Sequence, residues 1–133
     1  MSSDELEVLR ANDEFYEAFA TRDGARMDDV WAHERPVSCV HPGWSPLDGR
    51  TAVMESWRAI IGGDSINIAC SAAQAYVAGD SAYVVCFEGL HEEPPALVAT
   101  NIFAREQGAW KLVHHHAGQL AAVRAAPRPR ATN

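Results

Sequence analysis

Apolar residues in the first half of the chain recur every three or four positions, which is the spacing of one face of an α-helix. This spacing is present in three segments: Val8, Phe15 and Phe19, with the polar Asn12 in the same stripe; Met27, Val30 and Trp31; and Val53, Trp57, Ile60 and Ile61. Ser2 and Glu5 have the spacing of a capping box, which predicts the start of the first helix. Asp23 can cap the second helix, Pro36 ends it, and Gly62-Gly63 ends the third. The pattern therefore predicts three N-terminal helices.

From residue 66 onward the hydrophobic period changes to two, which is typical of β-strands. Four strands are predicted there, at 66–78, 81–92, 96–105 and 109–120, and a shorter one earlier at 36–41. Short links join the four long strands, so we expect them to form an antiparallel meander. Helices followed by strands predict an α+β domain in which the helices cover one face of the sheet.

Alternation along the second and third long strands assigns their side chains to two faces. A link at residues 92–95 places Glu88 opposite Ala99 and Cys86 opposite Asn101. Glu88 and Asn101 then share one face, and the other face is largely apolar. Because the helices can cover only one face, the uncovered face needs a partner. A homodimer through the sheet is the simplest solution.

Length and composition indicate one globular domain. The chain has 133 residues, of which 47% are hydrophobic and 22% charged, and we assign residues 1–120 to a single domain. Residues 121–133 lack periodicity and predict a flexible basic tail. The net charge of −7 argues against nucleic-acid binding, because such binding depends on neutralising phosphates. No apolar run suits a membrane helix, and the acidic start is unlike a signal peptide, so we expect a cytoplasmic protein.

The three cysteines, Cys39, Cys70 and Cys86, lie in apolar stretches and do not have Cys-x-x-Cys spacing. Free cysteine packs as a small hydrophobic residue and is often buried. The pattern favours structural thiols in a reducing compartment over a catalytic thiol.

A run of three histidines, His114-His115-His116, follows an apolar strand segment. On a strand, His114 and His116 share one face and His115 takes the other. A His-x-His pair can present two metal ligands, and His41 or Glu88 could supply a third. We predict no metal, since no carboxylate lies nearby in sequence. Two alternatives stay open: histidines bonded within a half-buried sheet, or histidines lining a pocket for an organic ligand.

Three further polar residues are candidates for chemistry. His41 lies at a strand end, before Pro42-Gly43-Trp44, and could act as an acid or base, or belong to a structural turn. Glu88 on an apolar sheet face would have a raised pKa that suits a general base, whereas at the sheet rim it would be solvated. Asn101 could hold a carbonyl or an oxyanion, or satisfy a neighbouring backbone group.

Several motifs together resemble the NTF2-like superfamily, and in particular its SnoaL-like branch. They are Asn12–Phe19 with Arg22-Asp23, Cys39–Trp44, Gly49-Arg50 with Trp57, Ala99–Phe103, and Trp110–His116. The ending also resembles the association domain of calcium/calmodulin-dependent protein kinase, which shares the Trp-x-x-Val-His-x-His pattern. The resemblance covers about residues 5–119. It implies a cone in which three N-terminal helices pack on a strongly bent antiparallel sheet, with a deep pocket and dimers formed through the sheet.

The resemblance does not by itself specify a reaction. The superfamily contains enzymes such as ketosteroid isomerase and polyketide cyclases, and also non-catalytic transport and hub modules. Enzymes of the isomerase and cyclase types use pocket aspartates, and no predicted strand here places one. The kinase hub has arginines where Asn101 and Ala117 stand in this chain.

Together these features predict a protein with a small-molecule pocket, a lyase, isomerase or cyclase that moves a proton next to a carbonyl. In this prediction His41 or Glu88 takes the proton, and His116 or Asn101 stabilises the enolate. The residues predicted to bind the ligand are Trp44, Trp57, Asn101, Phe103 and His114, and no cofactor is predicted. The alternative is a non-catalytic ligand-binding or oligomerisation module.

Overall fold

Three helices precede most of a six-stranded sheet. The computed structural model describes residues 1–64, 68–90 and 93–121. The helices are α1 Ser3–Ala20, α2 Gly24–Val30 and α3 Arg50–Gly62. The strands are β1 Ser38–Val40, β2 Leu47–Asp48, β3 Ala69–Ala78, β4 Ser81–Gly89, β5 Leu97–Glu106 and β6 Ala109–Gln119. The three predicted helices and the predicted α+β class are confirmed. Predicted strand residues 66–67 and 91–92, and the predicted tail from residue 122, lie outside the described residues.

Local hydrogen bonds explain where the first two helices begin. The Ser2 hydroxyl accepts from the Glu5 amide at 3.1 Å, and the Glu5 carboxylate accepts from the Ser2 amide at 3.3 Å. This reciprocal pair is the predicted capping box. Asp23 caps α2 by accepting from the Arg26 amide at 3.1 Å.

The sheet has the strand order β2-β1-β6-β5-β4-β3 and is mixed. β3 to β6 form the predicted antiparallel meander, whereas β1 pairs in parallel with β6. The fully antiparallel sheet of the prediction is therefore wrong at this edge. β2 was also not predicted, since its two residues are too few to show a period.

The register between β4 and β5 differs from the prediction by two residues. Glu88 pairs with Leu97 instead of Ala99. β4 ends at Gly89, where an added Cβ would lie 2.9 Å from the Cα of Pro95, so the returning chain needs glycine there. A shift by two keeps every side chain on its face. Glu88 and Asn101 accordingly share the buried face of the sheet, as predicted.

The core lies between the helices and this buried face. α1 packs against β3, β4 and β6, and Phe15 of α1 meets Trp57 of α3 edge to face, with ring centroids 5.3 Å apart. Arg50 holds α3 against α2, because it pairs with the Asp28 carboxylate at 2.8 Å and donates to the Trp31 carbonyl at 3.1 Å. This packing fixes the position of α3 relative to the sheet.

β6 contains a β-bulge that changes which residues face the core. Ile102 pairs with His114 and Phe103 with Leu112, so Val113 is an extra residue in the ladder. Leu112 is buried before the bulge, and His115 is buried after it. Without the extra residue, strict alternation from Leu112 would direct His114 and His116 to the core.

No helix within the described ranges combines the length and the apolar character needed to span a membrane.

Candidate functional site

A cleft of about 440 Å³ opens between α3 and the end of the sheet where β1, β4 and β6 present polar side chains. Its walls are mainly aromatic and aliphatic, and four polar side chains, His41, Asp64, Glu88 and His115, lie among them. The lining residues that matter here are His41, Trp44, Trp57, Glu88, Leu97 and His115. Trp44 lies at the mouth and is 47% exposed, whereas Trp57 is buried. A concave, apolar cleft with a few converging polar groups is typical of a small-molecule site.

His41 follows β1 and is held by α3. The Ser56 hydroxyl donates to the Val53 carbonyl at 2.7 Å, so its oxygen accepts the proton on Nε2 of His41, 2.9 Å away. The imidazole lies between two indoles, with ring centroids 4.8 Å from both Trp44 and Trp57. Burial lowers the pKa of His41 to about 4, so this histidine is neutral near pH 7.

Glu88 is buried near the end of β4, and its partner is a tyrosine of α1. The Tyr16 hydroxyl donates to Oε2 of Glu88 at 2.5 Å. Burial raises the pKa of Glu88, although the hydrogen bond from Tyr16 opposes this shift. Burial also raises the pKa of Tyr16 well above its usual value, and the nearby Glu88 adds to the shift. Burial therefore shifts the pKa of both groups in the direction of their protonated forms.

His115 is oriented by an amide. Asn101 uses its Nδ2 group to donate to Oδ1 of Asn12 at 2.9 Å and to the Tyr16 hydroxyl at 3.1 Å. Its remaining polar atom, Oδ1, accepts from Nδ1 of His115 at 2.5 Å. The proton of the neutral ring is therefore on Nδ1, and Nε2 keeps its lone pair. Nε2 lies 3.9 Å from Oε2 of Glu88.

The charge state of His115 follows from its surroundings. Burial lowers the pKa of His115 to about 3, and repulsion from His41, His114 and His116 acts in the same direction. The cleft thus holds an unprotonated imidazole nitrogen beside a carboxyl group whose pKa is raised by burial. Environments that move two pKa values apart in this way define an acid and a base.

The structure places the other two histidines of the run away from the cleft. His114 is half-buried, and its Nδ1 lies 2.7 Å from the Ser38 hydroxyl. His116 is exposed and pairs with Thr100 in the ladder. This placement differs from the prediction that used His116 as a catalytic group and His114 as a ligand contact. The reason is the bulge at Val113, which no periodic pattern reveals.

The remaining predicted residues divide between the cleft and the layer beneath it. His41, Glu88, Trp44 and Trp57 line the cleft together. Asn101 is fully buried beneath the residues that line the cleft, and it hydrogen-bonds with His115. Phe103 is buried in the core and is not a lining residue.

Sequence reasoning missed three residues of this site. Tyr16 lies within the Asn12–Phe19 motif, but neither it nor Ser56 was singled out for a role, since their hydrogen bonds to Glu88 and His41 join residues 72 and 15 positions apart. Asn12 did have a signal, because it is a polar residue within the apolar stripe of the first helix. In the described part of the chain, no group of three histidine, cysteine or acidic side chains is arranged to hold a metal ion.

Comparison with known proteins identifies the family to which this fold belongs. The family model of the SnoaL-like domain matches residues 8–122. A proposed dehydratase of the NTF2-like family from Streptomyces avermitilis is 35% identical, with a TM-score of 0.79 over 90% of this chain and 98% of that one. A proposed calcium/calmodulin-dependent protein kinase type II association domain from Thiobacillus denitrificans is 36% identical, with a TM-score of 0.68 over 83% of this chain and 92% of that one.

One curated protein is a more distant relative. The F-box protein SKIP8 of Arabidopsis thaliana is 23% identical over 114 residues, which are 85% of this chain and 49% of that protein. The chain therefore spans about half the length of this relative. The family match and the two structures confirm the resemblance stated from the sequence. The chain belongs to the SnoaL-like domain family and has its NTF2-like fold.

Proposed function

We propose that this protein is an enzyme of the lyase or isomerase class that moves a proton next to the carbonyl group of a small molecule. One observation carries the proposal: the unprotonated Nε2 of His115 lies 3.9 Å from the carboxyl of Glu88. Both groups line the same cleft. The relative from Streptomyces avermitilis, described as a proposed dehydratase, supports this class of reaction.

The two groups would act as a pair. Nε2 of His115 takes the proton from the carbon beside the carbonyl, and the protonated carboxyl of Glu88 gives its proton to the carbonyl oxygen or to a leaving hydroxyl. The imidazolium and the carboxylate formed in this step lie side by side, which stabilises both in a cleft of low polarity. In an elimination the hydroxyl leaves as water, and transfer of the proton from His115 to Glu88 restores the starting state. In an isomerisation His115 gives its proton to a different carbon of the enol, and Glu88 recovers its proton from the enol hydroxyl.

The other residues of the site contact the substrate or orient the catalytic base. Trp44 and Trp57 offer flat apolar walls for the substrate. Asn101 keeps the base in the productive tautomer through its bond to Nδ1 of His115. No cofactor is needed for these proton transfers.

Replacing Glu88 with glutamine is expected to lower the rate of proton transfer by about 10²-fold, because an amide cannot deliver a proton. The measurement is solvent exchange in D₂O, in which NMR follows deuterium entering the carbon beside the carbonyl of uncharged cyclic ketones and β-hydroxy ketones. This assay detects proton removal even when the natural product is unknown. An unchanged rate in Glu88→Gln would contradict the role of the carboxyl.

A second candidate function, assembly without catalysis, is favoured by the outer face of the sheet. Tyr76 and Tyr83 are stacked there, with ring centroids 4.8 Å apart, and are 47% and 45% exposed. Large exposed aromatic residues commonly mark interaction surfaces. The relative described as a proposed kinase association domain supports the same idea. We include a homodimer through this face in the proposal, since it is compatible with either function.

Replacing Tyr83 with arginine is expected to convert this dimer to a monomer, because the change places like charges against each other across a two-fold interface. Light scattering after size-exclusion chromatography measures the mass. Thr51→Arg, on the exposed start of α3, is the control for added charge. A wild-type monomer, or a dimer that tolerates Tyr83→Arg, would remove the outer face from the proposal.

The cytoplasmic location stays part of the proposal. Its support is that Cys39, Cys70 and Cys86 are all free thiols. Burial raises the pKa of Cys39 to about 12, so this thiol stays neutral. Unpaired cysteines are typical of proteins in a reducing compartment.

A further inference from the structure

Asn12 is a polar side chain with no exposure to solvent, on the face of α1 that packs on the sheet. It is not among the residues that line the cleft. Burying an amide is costly unless its donors and acceptor are bonded. It hydrogen-bonds with Cys70 on β3 and Asn101 on β5, so its orientation is set by the sheet and not by a ligand.

The donor and acceptor of each of these two hydrogen bonds can be assigned. Nδ2 of Asn12 donates to the Cys70 sulfur at 3.6 Å, which leaves Oδ1 to accept from Nδ2 of Asn101 at 2.9 Å. If the Asn101 amide were reversed, its oxygen would face the oxygen of Asn12 at this distance. Two carbonyl oxygens in such contact repel each other, and both would lack a donor.

The orientation of the Asn101 amide in turn determines which nitrogen of His115 carries the proton. With Nδ2 of Asn101 directed to Asn12 and Tyr16, only Oδ1 of Asn101 can face His115. That oxygen requires a proton on Nδ1 of the ring. In the reversed amide, Nδ2 of Asn101 would face Nδ1, and the ring proton would move to Nε2, the nitrogen beside Glu88.

We propose that Asn12 is a positioning residue that acts through Asn101 to keep the proton of His115 on Nδ1, so that Nε2 faces the cleft unprotonated. The inference rests on the proposed function only for its consequence, since a base needs that lone pair. The tautomer itself is a property of the protein without substrate and can be measured directly.

The experiment compares the histidine tautomer in wild type, Asn12→Leu and Asn12→Asp, by two-bond ¹⁵N–¹H correlation NMR near pH 7. Wild type is expected to show protonated Nδ1 at His115, assigned by its loss in His115→Gln. Asn12→Leu keeps the approximate volume but loses the acceptor, so the tautomer ratio is expected to shift about fivefold toward protonated Nε2. Asn12→Asp keeps an acceptor oxygen at the same place, so it is expected to retain the wild-type tautomer.

Protonated Nε2 in wild type would overturn the inference, and so would an unchanged tautomer in a folded Asn12→Leu. Asn12→Ala, which also removes the acceptor, gives the same readout if the leucine variant does not fold. Loss of the wild-type tautomer in Asn12→Asp would also contradict the inference, because the aspartate keeps the acceptor oxygen on which the inference depends. The exchange assay with Glu88→Gln fails or succeeds independently, so the inference and the proposed function are tested separately.

Discussion

Replacing His115 with glutamine is expected to lower the rate of proton exchange by about two to four orders of magnitude. Glutamine is neutral and of similar length, but it has no basic nitrogen to place beside Oε2 of Glu88. The change therefore removes the base and leaves the aromatic walls of the cleft in place. Exchange into ketone probes measures the rate, and the free energy of unfolding at pH 7 reports whether the variant keeps its fold.

His33→Gln is the matched control for this experiment. His33 is a surface histidine that does not line the cleft. Its ring lies 3.6 Å from the Asp28 carboxylate, and 45% of its side chain is exposed. The expected rate of this variant equals that of wild type. Full activity in His115→Gln combined with loss in His116→Gln would contradict the assignment, because His116 lies on the opposite face of β6.

Acid is expected to destabilise the protein well above the range in which ordinary carboxylates titrate. The pKa values of His41 and His115 are lowered to about 4 and about 3, whereas the unfolded chain has histidines near 6.5. Between these values the unfolded state binds more protons, so stability is full above about pH 6.5 and falls as the pH decreases. At pH 5 the loss is about 2 kcal/mol for each histidine, or about 4 kcal/mol together.

Glu88 acts in the opposite direction. Its pKa is raised by burial, so the folded state binds a proton more readily than the unfolded state. That contribution is complete below the usual pKa of about 4.5 and is lost as the pH rises through the folded value. Glu88 therefore offsets part of the histidine effect, and Glu88→Gln is expected to steepen the loss of stability on acidification.

Urea unfolding at pH 7.5 and pH 5 measures this difference. A loss of about 4 kcal/mol is large beside the roughly 5–15 kcal/mol that stabilises a typical domain. His115→Gln is expected to remove about half of the pH dependence. Equal stability at the two pH values would show that the buried histidines are not held neutral.

The parts of the fold that depend on periodicity could be predicted from the sequence. Alternation placed Glu88 and Asn101 on one face, and an error of two residues in register did not matter, because side chains repeat every second residue. The helix start at Ser2 was equally readable, because a capping box involves residues only three positions apart.

The parts that depend on irregular backbone or distant contacts could not be predicted in this way. The bulge at Val113 leaves no periodic signal, so the side chain directed to the cleft was not determined by the sequence pattern. The bond between Tyr16 and Glu88 joins residues 72 positions apart, and no spacing rule connects them. The identity of the inward histidine and its hydrogen-bond partners therefore needed the structure, whereas the fold class and four of the residues that line the cleft did not.

The extra residue in β6 also changes how relatives of this chain should be compared. A homologue that is one residue shorter before its histidines restores strict alternation, and it can still direct an imidazole into the cleft two positions after the residue that matches Leu112. A single-residue gap at this point of an alignment is therefore compatible with an intact site. A homologue that keeps His114 and His116 but replaces His115 has instead lost the inward ring, although two of its three histidines are conserved.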